Sequence, residues 1–432
     1  MISVWSDNSD VPSFRTLDKD INTDIVIIGG GIAGILCAYT LDKAGASYVL
    51  LEADKICKKT TANTTAKITS QHGLIYARLK NEFNSDFARL YFEANEDAIK
   101  EYDILCRDID CDYKTADSYV YSLSDSGIIE KETAVLNSLG IPAKYITKTE
   151  LPFSIAGAVK FENQANFNPL KFISHIARGL NIYENSRVTE MKGNIAFTDK
   201  HKVTAKKVIV ATHFPFINKH GFYFLKMYQE RSYVLALENA RRVEDMYLDE
   251  NKNGLSFRSY ENLLLLGASS HRTGKEGCGW ERLEEVRKKY YPESIIKYRW
   301  ATQDCITLDG VPYIGRYSAS CENLFVATGF NKWGMSSSMV AAKLLCDLVL
   351  EKENKYEKIF SPSRSIMRKQ LAINTFEAMC GWLSFGKKRC PHLGCGLSYN
   401  KYEHTWDCSC HGSRFDGDGR LVDNPANSDI KR

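Results

Sequence analysis

The sequence predicts an α/β fold built on a parallel, dinucleotide-binding sheet, with a separate small module at its C-terminal end. Three observations predict it. A run of β-branched apolar residues, Asp24–Ile28, leads directly into Gly29-Gly-Gly31-Ile-Ala-Gly34 and then a helical stretch. A second apolar run, Ser47–Leu51, ends on the acid Glu52. Near the other end stand Cys390-Pro-His392 and Cys408-Ser-Cys410-His411, a C-x-H and a C-x-x-H pair outside any helical or strand pattern.

Bulk properties bound the rest. A chain of 432 residues is too long for one simple core and suggests two or three domains. Its 44% hydrophobic and 25% charged content is that of a globular protein. The formal charge of +4 lies in residues 360–432, with eleven Lys/Arg against seven Asp/Glu; residues 1–359 carry 46 of each. Sampling alone produces so small an excess; read otherwise, it is a docking face for an acidic one-electron carrier. No basic stripe with interleaved aromatics appears, which argues against nucleic acid. The best membrane-span candidate, Ser338–Leu350, is interrupted by Lys343 and Asp347. The first twenty residues are polar, and thirteen cysteines without a secretory pattern do not read as a disulfide framework. A cytoplasmic location is expected.

The front elements carry a specific chemistry. Gly29 allows a tight turn, Gly31 lets a pyrophosphate approach the backbone, and Gly34 lets the helix pack on its strand. The helix N-terminus then faces phosphates, and Glu52 accepts from a ribose hydroxyl. Glu52 would repel a 2′-phosphate, which leaves FAD or NAD. FAD is favoured because no second glycine fingerprint follows a strand; Gly274-Lys-Glu-Gly277-Cys-Gly279 lacks that setting.

The later segments supply a resemblance. Asp309-Gly-Val-Pro-Tyr-Ile-Gly315 is followed by Asn323–Thr328, then Gly329-Phe-Asn-Lys-Trp333-Gly334-Met335 and a helix through Leu350. Here the sequence resembles the D-amino-acid oxidase/glycine oxidase superfamily of FAD enzymes, over about residues 20–355. The resemblance implies that Gly315, Gly329, Trp333, Gly334 and Met335 flank the flavin, with the positive end of the helix at its reducible edge. Lys207–Thr212 resembles the family's middle strand, with Ala211 at the cofactor and His213 in place of the usual glycine. Val188 stands where a backbone contact to adenine is expected. Thr61–Gly73 resembles the loop beneath the flavin, which brings in Thr61 and Thr65. The family organisation implies a flavin domain over 1–359. Its FAD part would take about 20–80, 155–220 and 300–355; its substrate part, with an antiparallel sheet, about 81–152 and 222–298. Asn81–Arg107 reads as an amphipathic helix whose Phe83, Phe87, Leu90, Tyr91, Ala94, Ala98 and Tyr102 stripe is core.

Candidate catalytic groups are Arg231, whose planar fork would grip a substrate carboxylate beside Tyr228 and Tyr233, and Lys67, which would stabilise negative charge on a reduced flavin. Each also has a plain reading, as a strand surface residue and a solvated loop lysine. His72 is a candidate covalent flavin anchor, as histidines are in some relatives. Trp300 and Asp304 are expected to line the cavity.

The tail offers two soft thiolates and two neutral imidazoles on two loop tips. That set matches a Rieske-type [2Fe–2S] cluster, with Cys390 and Cys408 on one iron and His392 and His411 on the other. Zinc is the competitor, although C-x-H is an unusual spacing for it. The context around His392-Leu-Gly-Cys395 and Cys408–Asp416 resembles Rieske domains beyond the ligands themselves. It places Cys395 and Cys410 where the respiratory type forms a disulfide; a cytoplasmic redox poise argues against an exposed one, and two unpaired buried thiols are the alternative. It also implies a Ser413 hydrogen bond to a cluster sulfur, and Phe415 where high-potential relatives have tyrosine. At 366–432 the module is shortened; Leu371–Phe376, Trp382 and Phe385 are expected to supply apolar surface that it lacks, and Glu351–Arg364 reads as a linker. The resemblances together imply a Rossmann-like FAD-binding domain with an antiparallel-sheet substrate domain, followed by a small β-rich Rieske module.

The function so implied is an FAD-dependent dehydrogenase oxidising a small amine or amino acid, with electrons passing from flavin to the [2Fe–2S] cluster and an external one-electron carrier. Two alternatives stay open: a redox sensor or electron-transfer flavoprotein without a dedicated substrate, and a flavin oxidase whose tail is structural.

Overall fold

The computed structural model describes residues 2–7, 9–384 and 388–431; Phe385 lies outside the described residues. Two large sheets and one small one carry the chain. In the first, strand Ile21–Ile28 runs parallel to Tyr48–Leu51 on one side and Lys202–Val210 on the other. Ile182–Tyr183 extends it one way and Leu324–Thr328 the other, and Tyr313–Arg316 closes that edge antiparallel. Ile25–Ile28 is buried on both faces, as a run without alternation requires. Helix Ile32–Lys43 packs beside helix Gly334–Val349, and together they cover one face.

The second sheet has nine strands, in the order Ile295–Thr307, Met227–Glu238, Leu263–Arg272, Ser256–Tyr260, Met246–Asp249, Lys114–Ser122, Gly157–Asn166 and Lys67–Ile68, with Lys144–Ile146 on Gly157–Asn166. All its pairs are antiparallel except Met246–Asp249 with Lys114–Ser122. Lys67–Ile68, Gly157–Asn166 and most of Ile295–Thr307 join this sheet from segments expected for the FAD part, because apolar alternation specifies a strand and not the sheet it enters. Helix Ser85–Cys106 starts later than expected, because residues up to Glu82 belong to a separate helix, Tyr76–Glu82. It buries Tyr91, Ala94, Ala98 and Tyr102 as expected, while Phe87 and Leu90, and Phe83 between the two helices, are half-buried. Among the described residues no helix is long and apolar enough to cross a membrane.

The terminal module is a four-stranded antiparallel meander, Leu397–Asn400, Thr405–Cys408, Arg414–Phe415 and Leu421–Asp423. Its own core is a handful of side chains, chiefly four cysteines, Leu397 and Phe415. The apolar segment expected to enlarge that core does not do so. Helix Lys369–Trp382 buries only Asn374 and Gly381, and leaves Phe376 65% and Trp382 67% exposed. The module is held by polar contacts with the second sheet instead. The linker is tethered too: Arg364 donates to both Asp309 carboxylate oxygens, at 3.1 and 3.2 Å, and to the Val311 and Pro312 carbonyls.

Candidate active site and metal centre

Three glycines shape the turn after Ile28, each for its own steric reason. Gly29 has φ +110°, and a Cβ there would fall 2.5 Å from the Ala211 carbonyl oxygen. At Gly34 a Cβ would fall 1.9 Å from the Gly29 carbonyl oxygen, so the helix lies directly on the turn. Gly31 has room: the nearest atom to its Cβ position is Thr61 Oγ1 at 3.6 Å, and it borders a cavity of about 460 Å³. Thr61 Oγ1 accepts from the Ile32 N–H at 3.1 Å, which joins the loop to the helix start. The Glu52 carboxylate is fixed at the cavity wall by the N–H groups of Gly30 and Asp54, at 2.6 and 2.9 Å.

Gly29, Gly31, Glu52, Val188 and Ala211 line this cavity from the parallel sheet. Thr61 and Thr65 line it from the loop, and Gly329, Trp333, Gly334 and Met335 from the start of helix Gly334–Val349. That helix has no side-chain cap at its N-terminus, and the buried Ser338 hydroxyl at the cavity has no partner. A glycine turn, two helix N-termini and an orphaned hydroxyl along one cleft fit an extended dinucleotide. Of the expected cofactor residues, Gly34 serves packing only. Gly315 is not at the cavity: at φ +143° it faces the Pro362 ring of the tether, 3.2 Å from its Cβ position.

Lys67 lines the cavity from the second sheet, donating to the Tyr247 carbonyl at 2.8 Å and Ser256 Oγ at 2.7 Å. Burial, with the nearby Arg258 guanidinium, holds it down at about 7. Arg231 corrects the expectation of a substrate grip. It is buried, bidentate on Glu403 of the terminal module through Nε at 3.0 Å and a second guanidinium nitrogen. Side chains alternate along a strand, so Ser232 faces the cavity and Arg231 faces away. His72 is likewise no anchor: its ring nitrogens meet the Tyr91 hydroxyl at 2.6 Å and the Thr69 carbonyl at 2.8 Å, and the ring stacks on Trp333. Trp300 is buried off the cavity, donating to the Asn63 carbonyl at 2.9 Å, whereas Asp304 lines it. Thr302, Lys332 and Arg187 also line it and were missed; Arg187, beside Val188, and Lys332, beside Trp333, had a signal in the sequence, and Thr302 had none.

At the metal centre, the tight loops Cys390–Cys395 and Cys408–Ser413 face each other. Each closes on its own backbone, with Cys390 N–H on the Cys395 carbonyl at 2.8 Å and Gly412 N–H on the Cys408 carbonyl at 2.9 Å. The His392 and His411 rings lie edge to face at 4.9 Å. Both Nδ1 atoms are buried with no hydrogen-bond partner. His392 is held down at about 3 by burial and by His411, and His411 is also lowered by burial, so both imidazoles stay neutral. Facing thiols of Cys390, Cys395 and Cys410 pull Cys408 down, and Cys390 rises in turn through Cys408 and burial. Two orphaned ring nitrogens beside two interacting sulfurs fit a thiolate–imidazole cluster. Among the described residues, the sulfurs of Cys395, Cys408 and Cys410 also lie within 4.8 Å of one another. A single ion needs such a compact set; a two-iron cluster spreads its ligands wider. Cys395 and Cys410, expected as a disulfide, are free thiols here, with Cys410 Sγ turned toward the Glu377 and Ala378 carbonyls at 3.9 and 4.0 Å. The buried Ser413 hydroxyl accepts from the Ala426 N–H at 2.9 Å and favours the Cys390 thiolate.

Fold and site together define a redox protein with a dinucleotide cleft and a thiolate–imidazole metal centre in one chain. Residues 24–348 match the FAD dependent oxidoreductase family and residues 360–432 the Rieske [2Fe-2S] domain. The chain belongs to this family of FAD-dependent oxidoreductases and carries a C-terminal Rieske domain; its cofactors are FAD and a [2Fe–2S] cluster. The Bacillus subtilis protein YhfW, whose name describes a Rieske 2Fe-2S iron-sulfur protein, is 35% identical over 99% of this chain and 96% of its own. Gamma-glutamylputrescine oxidoreductase of Escherichia coli is 25% identical over 78% of this chain and 85% of its own. Among solved structures, glycine oxidase from Geobacillus kaustophilus shares the fold with a TM-score of 0.68 at 19% identity, over 80% of this chain and all (100%) of its own. L-proline dehydrogenase from P. horikoshii gives 0.67 at 18% identity, over 80% and 98%.

Proposed function

We propose that this chain is a dehydrogenase of small amines or amino acids, and that its electrons leave singly through the Rieske module to an external carrier. Bound flavin supplies two-electron oxidation and the cluster one-electron carriage. The observation that carries this reading is one sheet serving both sites. Gln229 donates to the His411 carbonyl at 2.7 Å, and Gln303 to the Gly412 carbonyl at 2.8 Å. From the same two strands, Ser232, Thr302 and Asp304 face the cavity. Arg272 adds bonds to the Ser409 and Cys410 carbonyls at 2.8 and 3.0 Å. The chain thus fixes the cluster loop against the far side of the cavity wall. The module boundary lies between residues 359 and 366, where Arg364 ties the tether down. Thirteen cysteines, with no disulfide among the described residues, suit a reducing compartment, and we infer a cytoplasmic location.

The relatives' names point to two substrate classes, amines for gamma-glutamylputrescine oxidoreductase and amino acids for glycine oxidase and L-proline dehydrogenase. The test is anaerobic addition of amines and amino acids to the holoprotein, following flavin absorbance and the paramagnetic signal of the reduced cluster. Flavin bleaching together with the cluster signal is expected. Bleaching with a cluster that stays oxidised refutes the relay and favours an oxidase with a structural tail. Bleaching by no amine or amino acid refutes the dehydrogenase and favours a sensor.

A further inference from the structure

We propose that Asp304 and Thr302 form the recognition site for a substrate ammonium group, and that the substrate is an amine cation without an α-carboxylate. This rests on the dehydrogenase reading above and narrows its substrate class.

Strands Met227–Glu238 and Ile295–Thr307 pair antiparallel, with Glu230 opposite Asp304 and Ser232 opposite Thr302. Alternation puts these four side chains on the cavity side of the sheet. Two carboxylates directly across a strand pair repel, so each calls for a cation. Glu230 has two, Lys252 Nζ at 2.6 Å and Lys332 Nζ at 2.9 Å, and it also accepts from the Tyr228 hydroxyl at 3.1 Å. Burial raises Glu230, but Lys332 and Lys252 outweigh it and hold the carboxyl at about 2. Asp304 has neither: among the described residues no group donates to its carboxylate, and it lines the cavity. Burial raises it to about 6, with the pull of Lys332 opposed by Glu230. Two residues earlier on the same face, the Thr302 hydroxyl is buried without a partner and borders the same cavity. An uncompensated carboxylate beside a free hydroxyl is the complement of a cation rich in N–H donors.

The opposite requirement, a grip for a carboxylate, is not met on this wall. Arg231 is turned to Glu403, Lys252 and Lys332 are committed to Glu230, and Lys67 is pushed toward neutrality by burial. Asp249 and Glu250 add further acid to the lining. The remaining cations, Lys55, Lys58, Lys59 and Arg187, sit on loops beside the parallel sheet, on the dinucleotide side. An α-carboxylate entering here would meet acids and already-paired lysines.

The test is calorimetric binding to the oxidised holoprotein of matched pairs differing only by the α-carboxylate, 1,4-diaminobutane against ornithine and pentylamine against norleucine. Each amine is expected to bind about tenfold or more tighter than its amino acid, and Asp304→Asn to weaken the amine about tenfold or more. Thr302→Val is expected to weaken it less, with FAD content unchanged in both variants and melting of neither lower than that of the unmodified protein. In the unmodified protein, amine affinity should fall as pH drops through about 6, where Asp304 takes up a proton. An amino acid binding as tightly as its amine, or affinity untouched by Asp304→Asn and by that pH step, overturns the proposal. Binding is read without turnover. If no compound bleaches the flavin, the dehydrogenase reading falls while calorimetry still decides the subsite.

Discussion

Glu403→Gln tests whether a buried ion network, not apolar packing, seats the Rieske module. The side chains of Arg231 and Glu403 are 4% and 6% exposed, so their pairing takes place out of water. Arg414 also meets Glu403, at 2.8 Å, but it keeps Asp407 at 3.2 Å and Asp423 at 2.9 Å. Neutralising Glu403 therefore strands one guanidinium, that of Arg231. Breaking one half of such a buried pair costs about 3–5 kcal/mol. Burial raises the Glu403 carboxyl, yet Arg231 and Arg414 bring it below its ordinary value of 4.5. A depressed folded value means stability present above about 4.5 and lost as pH falls through the lower folded one. The assay is urea unfolding of both proteins, read separately by cluster and flavin absorbance, at neutral pH and in acid. The cluster transition of Glu403→Gln should move by the full cost at neutral pH and the flavin transition by less, with the gap closing in acid. Adding Arg231→Met should recover most of the loss, because two apolar or neutral groups need no counter-charge. A shift under about 1 kcal/mol, typical of solvent-screened pairs, or a double variant no better than the single, refutes the reasoning.

Gly34→Ala should yield protein without flavin absorbance, since its Cβ would lie 1.9 Å from the Gly29 carbonyl oxygen; the flavin-to-protein ratio checks this. Lys67 is held at about 7 against an ordinary 10.5, so the unfolded chain binds the extra proton between those values and native stability rises with pH across that window. Lys67→Met should remove that rise, up to about 1.4 kcal/mol per pH unit, in denaturation measured from neutral to alkaline pH. His392→Cys should lower the cluster potential or abolish the cluster in a paramagnetic redox titration. FAD should stay bound, because the His392 ring meets Asn218 Oδ1 at 3.0 Å and His411 and does not line the cavity.

What the sequence revealed was local chemistry. The Gly29–Gly34 turn and the two ligand loops are short, and each is dictated by sterics or by metal-ligand type within a few residues. Arg231 was legible as a strand residue but not as to its face, because its partner Glu403 stands 172 positions away. Phe376 and Trp382 looked like core from composition, yet helix Lys369–Trp382 turns them to solvent. Hydrophobicity states what can be buried; it does not state whether anything arrives to cover it. Gly315 belongs to a flavin-type motif, but its left-handed backbone serves the tether at Pro362.

The small apolar core of the terminal module and its polar interface explain one another. With few apolar side chains of its own, the module cannot hold a cluster loop rigid from within, so rigidity has to come from the wall it rests on. Gln229 and Gln303 bond to each other at 2.8 Å as well as to the loop, which fixes both amides without a flexible charged group. Gly412, at φ +88°, lets the loop descend until its Cβ position lies 2.5 Å from Gln229 Cβ; any side chain there would lift the loop off the wall. At Gly274, φ +76°, the wall in turn comes up to the Ser409 amide, 2.5 Å from its own Cβ position. Close approach is thus built into backbone on both surfaces. The pleat then sets what lies behind, because the residues alternating with Gln229, Arg231 and Gln303 are Glu230, Ser232, Thr302 and Asp304. A one-residue slip of either strand would exchange the two sets and lose both sites at once.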